Sequence, residues 1–431
     1  MRNILCLLLF LTIGITTKAQ TPQSFSLDEA VSYALDNSLV IKNALLGVAD
    51  AKQRINENRA SGLPTVSAGV DYNYYFKIPV SVVPAEFFGG PTGEFAEIAF
   101  GTKNNLTAQI QARSLVFDWS YLTALKAART YRAYTEEQLV STEATVRNQV
   151  KLAYLPPLIL EESKKTLEKN IKVLEELWYG TNETYKAGFA EQLDVDRLSL
   201  SLSILNTDLE NIDRQIELAY NGLKITMGYP IDKQRTVADD IDKLLSIASE
   251  EDLTGSVSFS NRPDYRVAMM GKTLNELNIS YAKSGYYPNL VAFGSFQKNG
   301  QGDKFLKDQI WTDVGVVGLS LGIPIYDGGM RKARINRAKL DLEITQNQIK
   351  NLEHLISLEV ENARIGYKSA QQKVGNQQKT LELAQKIYDV TQIKFKEGVG
   401  LSLEVTTAES CLLYTSPSPR DATLSRMPSS A

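Results

Sequence analysis

The sequence predicts a mixed α and β membrane protein made of two structural repeats, in which strand pairs alternate with very long helices. Three observations carry this reading. Short segments of the first half recur in the second at a nearly constant offset of about 210 residues. Two stretches alternate apolar and polar residues over roughly ten positions, the length and period of a tilted membrane-spanning strand. Two others continue a helical pattern for roughly 70 residues, far beyond an ordinary globular helix.

Composition narrows the possible functions. The 431 residues carry 47 Lys+Arg against 50 Asp+Glu, a net charge of -3, so there is no basic field to gather nucleic acid. The chain contains 1 histidine, His354, which leaves little room for His-based catalysis or for Cys/His metal sites. The 2 cysteines, Cys6 and Cys411, stand near opposite ends.

In chain order, a short positive start and the apolar run 4–15 precede Thr17-Lys18-Ala19, so residues 1–19 read as a secretory signal peptide. The first repeat is expected over 20–228. It opens with a helix over 27–61, and Gly62-Leu63-Pro64 leads into the first strand. Val66, Ala68, Val70, Tyr72 and Tyr74 share one face of that strand; Thr65, Ser67, Asp71 and Asn73 share the other. The next strand sets Leu106, Ala108, Ile110 and Ala112 against Asn105, Thr107, Gln109, Gln111 and Arg113. A long helix over 118–185 and a return helix over 191–227 follow. Pro156-Pro157 predicts a kink or break in the long helix.

A connecting segment over 229–262 leads to the second repeat, 263–410, which reads as truncated. Tyr326-Asp327 repeats Phe117-Asp118, Phe395-Lys396-Glu397-Gly398 repeats Tyr185-Lys186-Ala187-Gly188, and Leu403-Glu404-Val405 repeats Leu193-Asp194-Val195. Its strands are less regular: Val317, Leu319, Leu321 and Ile323 alternate with Gly and Ser, but Val291 and Phe293 fall on the polar face of 289–297. Aromatic residues gather where strands meet helices (Phe117, Trp119, Tyr286, Tyr287, Tyr326) and at the hairpin tips (Tyr74, Tyr75, Phe76, Trp311), as two interfacial girdles would.

In the long helix over 327–395, Ile335, Ala338, Leu342, Thr345, Ile349, Leu352 and Ile356 form a coiled-coil seam. A second stripe, Leu340, Ile344, Leu355 and Leu358, predicts neighbours on two sides, as in a closed ring of helices. Gly366 stands where the first half has its prolines. Residues 411–431 abandon the helical pattern for Ser and Pro and read as a non-native tail. By comparison with the first half, roughly 25 helical residues are then missing after 410.

No catalytic constellation is legible, so an enzyme is not expected, and no cofactor or metal is implied. Gly89-Gly90-Pro91-Thr92-Gly93 and Asn299-Gly300-Gln301-Gly302-Asp303 lack the Lys-Ser/Thr of a phosphate loop and read as hairpin loops. His354 lies off the seam and reads as a solvated helix residue. Asp194 and Asp196 point about 200° apart on a helix and cannot act as a pair. Asp194 and Glu404 each follow a turn glycine, Gly188 or Gly398, by six positions. They are either solvated carboxylates near a helix N-terminus or, if symmetry multiplies them, charged rings.

With the repeat, the strand pairs, Ile323-Pro324-Ile325-Tyr326-Asp327-Gly328-Gly329 and Asn261-Arg262-Pro263-Asp264 in view, the chain resembles the TolC family of outer-membrane efflux proteins over nearly all of residues 25–410. The resemblance implies a homotrimer in which each protomer gives four strands to a 12-stranded β-barrel, continued by an α-helical coiled-coil barrel. It implies a place in the outer membrane of a Gram-negative bacterium, among its lipid, with the helices reaching into the periplasm. It implies a passive duct for small molecules or proteins, of tripartite efflux or type I secretion, docked on a periplasmic adaptor and an inner-membrane pump. Oligomerisation also follows without the resemblance, since four strands cannot close a barrel.

By resemblance, Asp194 and Glu404 ring a periplasmic entrance, with Glu404 replacing an aspartate. Six carboxylates there would favour cations. Gly188, Phe189, Gly398, Val399 and Leu401 form tips that contact the adaptor or the next helix of the tunnel. The family's tyrosine and arginine latch is replaced by Phe395 and Gly400. Two other readings stand beside the duct: a non-channel coiled-coil scaffold of the cell envelope and a secreted enzyme.

Overall fold

The computed structural model describes residues 23–99, 101–233, 235–241, 258–305, 307–400, 404–405, 407–408 and 411–412. The expected signal peptide and Leu401 lie outside the described residues, as do much of the 229–262 connecting segment and nearly all of the 411–431 tail. The chain divides into two compact units and passes between them four times, three times inside an α-helix and once in the 3-10 turn Phe259–Asn261.

The strand-bearing unit comprises Leu45–Leu139 and Ser260–Glu353. Its sheet has four strands: β2 (Thr65–Tyr74), β5 (Asn104–Asp118), β7 (Asn289–Gly302) and β8 (Ile310–Gly322), in the order β2-β5-β7-β8. All three pairings are antiparallel, with a bulge between Leu115 and Phe117. Because the side-chain period is two, the register sorts residues cleanly by face. Val66, Ala68, Val70 and Tyr72 lie across from Ala112, Ile110, Ala108 and Leu106, and the same face continues through Phe296 to Val317 and Trp311. Asn73, Asn105, Gln301, Gln297 and Asn299 share the opposite face.

Apart from Phe305 against Tyr72, the apolar face is largely uncovered among the described residues: Val317 is 92% exposed and Val70 71%. The irregularity in β7 has a packing reason. Phe293 lies across from Gly318, where an added Cβ would meet the phenyl ring at 2.7 Å. Glycine there leaves room for a large ring on the polar face.

The structure changes several expectations for these elements. The first hairpin holds two extra strands, β3 (Val80–Pro84) and β4 (Phe95–Ala99), between β2 and β5, with Gly89 and Gly93 at positive φ in their connection. The second glycine stretch is not a loop, because Asn299–Gly302 belongs to β7. A side chain at Gly300 would collide with the Trp311 ring at 3.0 Å, so glycine serves a close approach there rather than a turn.

The repeated aspartates do the same local work. Asp118 Oδ1 accepts from Ser120 N at 2.7 Å, at the start of α3 (Trp119–Lys186). Asp327 accepts from Gly329 N at 3.2 Å and Arg331 N at 2.9 Å, at the start of α6 (Met330–Lys396). Both satisfy helix N–H groups that have no intrahelical partner. Arg331 is itself buried. Its Nε lies 2.7 Å from Asp327, its Nη1 donates to Gly285 O and Pro324 O, and its guanidinium stacks 4.8 Å over Tyr286. One side chain thus ties the end of α5 (Pro263–Ser284) to the start of α6. The Arg331 hydrogen bond holds the Asp327 carboxyl below the usual range.

The seam of α6 packs as read: Ile356 is 1% exposed, Ala338 and Ile349 are buried, and Thr345 Oγ1 accepts from Asn275 Nδ2 at 2.8 Å. The second stripe, Leu340, Ile344, Leu355 and Leu358, is exposed at every position. His354 is exposed.

The helical unit comprises Met1–Ala44, Val140–Phe259 and His354–Ala431. The single helix expected over 27–61 is two, α1 (Leu27–Asn37) and α2 (Leu39–Ala60), broken at Ser38, whose ψ of 128° leaves the helical region. Asn37 and Ser38 are residues whose side chains compete for backbone groups, and Asn37 Nδ2 donates to Tyr33 O at 3.0 Å. A capping box of Ser26 and Glu29 starts α1.

Of the kink or break expected at Pro156-Pro157, the break is absent: α3 runs as one helix through both prolines. Both prolines lie in a closely packed stretch of the helix. Tyr154 and Pro157 are fully buried, and Val146, Val150, Leu158 and Leu174 of α3 are buried as well. They share this unit with Val195, Leu198, Ile212, Leu223 and Met227 of α4 (Gln192–Met227). Helix α6 likewise runs through Gly366 without interruption.

A candidate entrance at the helical tips

Two helical turns place the residues singled out by the repeat. At the first, α3 ends on Gly188, whose φ of 81° only glycine adopts without strain. Gly188 N donates to Tyr185 O at 2.9 Å and Phe189 N to Thr184 O at 3.0 Å, which closes the last carbonyls of α3. At the second, Gly398 has φ 72°; its N donates to Phe395 O at 3.1 Å, and Val399 N donates to Lys394 O at 3.0 Å. The two tips use the same hydrogen-bond pattern. In such a turn, the residue after the glycine ordinarily folds back on an apolar residue of its own helix. Here Phe189 is 86% and Val399 83% exposed, so both apolar side chains point away from their own helices.

Asp194 sits in the first turn of α4, where the helix dipole favours an anion, and its N donates to Glu191 O at 3.1 Å. Its carboxylate lies 4.0 Å from Arg197 Nη1, the outer limit of an ion pair. Asp196 turns elsewhere and accepts from Gln192 Nε2 at 2.9 Å, as the angular argument requires. Glu404 is helical and exposed, next to the buried Val405. Val405 and Ala408 pack against Tyr388, with Leu177, Phe395 and Leu412 around them. Val405, Ala408 and Leu412 are therefore packed against side chains of α3 and α6, and Leu412 takes part beyond the boundary expected at 411. Cys411 is free and exposed.

The two departures from the family's latch have structural roles of their own. Phe395 fills this apolar cluster. Gly400 N donates to Lys394 O at 3.0 Å, and a Cβ at Gly400 would lie 3.0 Å from Phe395 N, so the turn has no room for a larger side chain.

Sequence reasoning missed a polar knot in the same unit. Strand β1 (Gln23–Phe25) pairs in parallel with β6 (Arg235–Val237). Tyr154 from α3 reaches this pair and donates to Phe25 O at 2.8 Å, with Asp239 Oδ2 at 3.2 Å. Asp239 Oδ2 also accepts from Leu27 N at 2.7 Å, at the head of α1. Tyr220 from α4 donates to Glu161 at 2.5 Å and accepts from Val237 N at 3.1 Å. Burial pushes the Tyr154 hydroxyl up to about 12, and burial together with the Glu161 hydrogen bond pushes Tyr220 up further. Phe25, Tyr33 and Tyr229 meet beside the knot in tilted and edge-on contacts, with centroids 5.5 to 6.3 Å apart. No periodicity marks Tyr154 or Tyr220 as special, since their partners come from segments about 17 to 130 residues away.

The apolar sheet face and the two helical tips leave large apolar side chains exposed, among them Val317, Phe189 and Val399. The chain belongs to the outer membrane efflux protein family, which matches residues 30–228 and 256–417. Among its relatives are the pyoverdine export outer membrane protein OpmQ of Pseudomonas aeruginosa, 22% identical over 311 residues, and nodulation protein T of Rhizobium leguminosarum bv. trifolii, 19% identical over 281 residues. The first alignment covers 72% of this chain and 63% of OpmQ; the second covers 63% of this chain and 58% of nodulation protein T.

The fold is similar to that of solved channels. CusC matches with a TM-score of 0.72 at 16% identity, covering 94% of this chain and 90% of that one. The CmeC outer membrane channel of Campylobacter jejuni matches at 0.69 and 16% identity, covering 93% and 85%. The open-state MtrE outer membrane channel of Neisseria gonorrhoeae matches at 0.65 and 18%, covering 94% and 90%.

Proposed function

We propose that this chain is one protomer of a homotrimeric, passive efflux duct in the outer membrane of a Gram-negative bacterium. Three sheets of order β2-β5-β7-β8 form a 12-stranded barrel, with the face of Val66, Ile110, Phe296 and Val317 toward lipid and the Asn/Gln/Thr face lining the lumen. The helices continue as a coiled-coil tunnel in the periplasm, and the chain reads as two repeats, 20–228 and 263–410, joined by 229–262.

The observation that carries this reading is incompleteness. Among the described residues, one chain leaves two sheet edges, most of one apolar sheet face and one apolar helix stripe uncovered. Copies of the same chain, together with lipid, cover all of them. The chain carries out no chemistry in this scheme; an inner-membrane pump supplies the energy, through a periplasmic adaptor that meets the tips Gly188, Phe189, Gly398, Val399 and Leu401. Asp194 and Glu404 then form two threefold sets of carboxylates at the periplasmic entrance, attracting cations. Extraction that requires detergent, with a band that shifts on heating in a denaturing gel, supports the duct. Recovery as a water-soluble monomer overturns it.

A further inference from the structure

The β3–β4 hairpin is absent from the second strand pair, and the tunnel gives it no role. It sets Val80 across from Ala99, Val82 from Glu97 and Pro84 from Phe95. Val83, Ala96 and Ile98, on its other face, are half-buried. Val80, Val82 and Phe95 are exposed, and so are Phe87 and Phe88 of the 3-10 turn that follows β3, with Phe87 at 79%. A two-stranded hairpin is marginal in water, and a contiguous apolar patch on it marks a contact.

Lipid does not fit that contact, because the patch carries carboxylates. Glu97 stands directly across from Val82 on this face, and Glu94 precedes Phe95 at the mouth of the turn, outside the strand. Among the described residues neither has an ion-pair partner, whereas Glu86 accepts from Gly93 N at 3.0 Å within the turn. A partner should therefore be cationic at its margin.

Such a surface lies at the same end of the sheet. In the turn between β7 and β8, Lys304 and Lys307 are partners in an isolated antiparallel bridge, so the two side chains project to one side. Like charges set directly opposite one another are destabilising. Both are exposed and neither has an ion-pair partner among the described residues. The turn also carries Asp303, which accepts from Lys103 N at 3.4 Å, and Asp308, at φ 59°. Phe305 packs on Tyr72 with centroids 5.1 Å apart and anchors the turn.

Topology brings the two surfaces together between copies. Strands β2 and β8 are the open edges, β2 ends and β8 begins at the same end of the sheet, and they run in opposite directions. When edges close on edges, β2 of one copy pairs with β8 of the next, and the hairpin following β2 meets the turn preceding β8. We infer that the β3–β4 hairpin of each copy docks on the β7–β8 turn of the neighbouring copy, with Glu94 and Glu97 against Lys304 and Lys307 and the Phe87, Phe88 and Phe95 patch covered. This clasp rests on the proposed oligomer and adds to it a specific interaction that sets which edges meet.

The test uses the full chain carrying Cys6→Ser and Cys411→Ser, with Glu94→Cys and Lys307→Cys introduced singly and together and oxidised in detergent. The double variant should give a dimer and trimer ladder on a non-reducing gel, and each single variant should give none. A monomer band alone, or a faster monomer from a bond within one chain, overturns the clasp. As a second measure, Glu94→Lys with Glu97→Lys should lower the temperature at which the oligomer dissociates, and adding Lys304→Glu with Lys307→Glu should restore it. Absence of rescue overturns the clasp as well. A wild-type oligomer without the ladder rejects the clasp and leaves the duct intact, whereas a wild-type chain that never oligomerises removes both.

Discussion

Replacing Ile344 and Leu355 by serine probes the uncovered stripe of α6 directly. In a single chain Ile344 is 55% and Leu355 53% exposed, so each withholds about half of its side chain for a neighbour. Full burial of such a side chain contributes about 1.5–3 kcal/mol, so the buried half contributes about 1 kcal/mol. Three copies of the double variant therefore lose about 6 kcal/mol of assembly free energy, if the sites act independently. Within the chain the same change removes little, because exposed positions tolerate substitution within about 0.5 kcal/mol. The assay has two parts: the temperature at which the trimer dissociates on a semi-native gel, and helix content by circular dichroism below that temperature. The expected result is a lower dissociation temperature with helix content unchanged. If the trimer dissociates at the wild-type temperature, the stripe is not an interface between copies; if helix content falls first, it supports the chain's own fold.

Three other outcomes are expected. Tyr154→Phe strands Phe25 O and Asp239 and costs about 1–3 kcal/mol, so hydrogen exchange of β1 and the start of α1 should quicken by about 5- to 150-fold while the strands are unaffected; equal exchange would show that the knot does not hold β1. With the folded Tyr154 at about 12 against an ordinary 10.0, the unfolded chain ionises first. Stability from this group is present in full below about pH 10 and lost as the pH rises through about 12, so alkaline unfolding of the helical unit should be shallower in Tyr154→Phe. Replacing Asp194 and Glu404 together by alanine should reduce cation preference and divalent block in single-channel recordings; unchanged selectivity would reject the ring and leave the duct standing.

The strand faces and the α6 seam were legible because each is a local periodicity. Period two sorted Val66 to Tyr74 from Thr65 to Asn73, and steps of three and four marked Ala338, Ile349 and Ile356 before their burial was seen. Phe117-Asp118 and Tyr326-Asp327 stood out as a repeat, and the structure explains the aspartates as helix caps. The tip glycines were legible too, because only glycine suits a positive φ between two helices.

Interactions between distant segments were not legible, and they decided the rest. Proline propensity argued for a kink or break at Pro156-Pro157, yet α3 runs through both, with Tyr154 and Pro157 fully buried. Glycine richness argued for a loop at Asn299–Gly302, yet Trp311 lies where a side chain at Gly300 would be, and the strand continues. The knot of Tyr154, Tyr220, Glu161 and Asp239 draws on segments that no local pattern connects. Local periodicity can say which face of an element is apolar, because it depends only on the rise and twist of one segment. What covers that face depends on the packing of residues far apart in the chain, and only the tertiary structure shows which faces one copy leaves open.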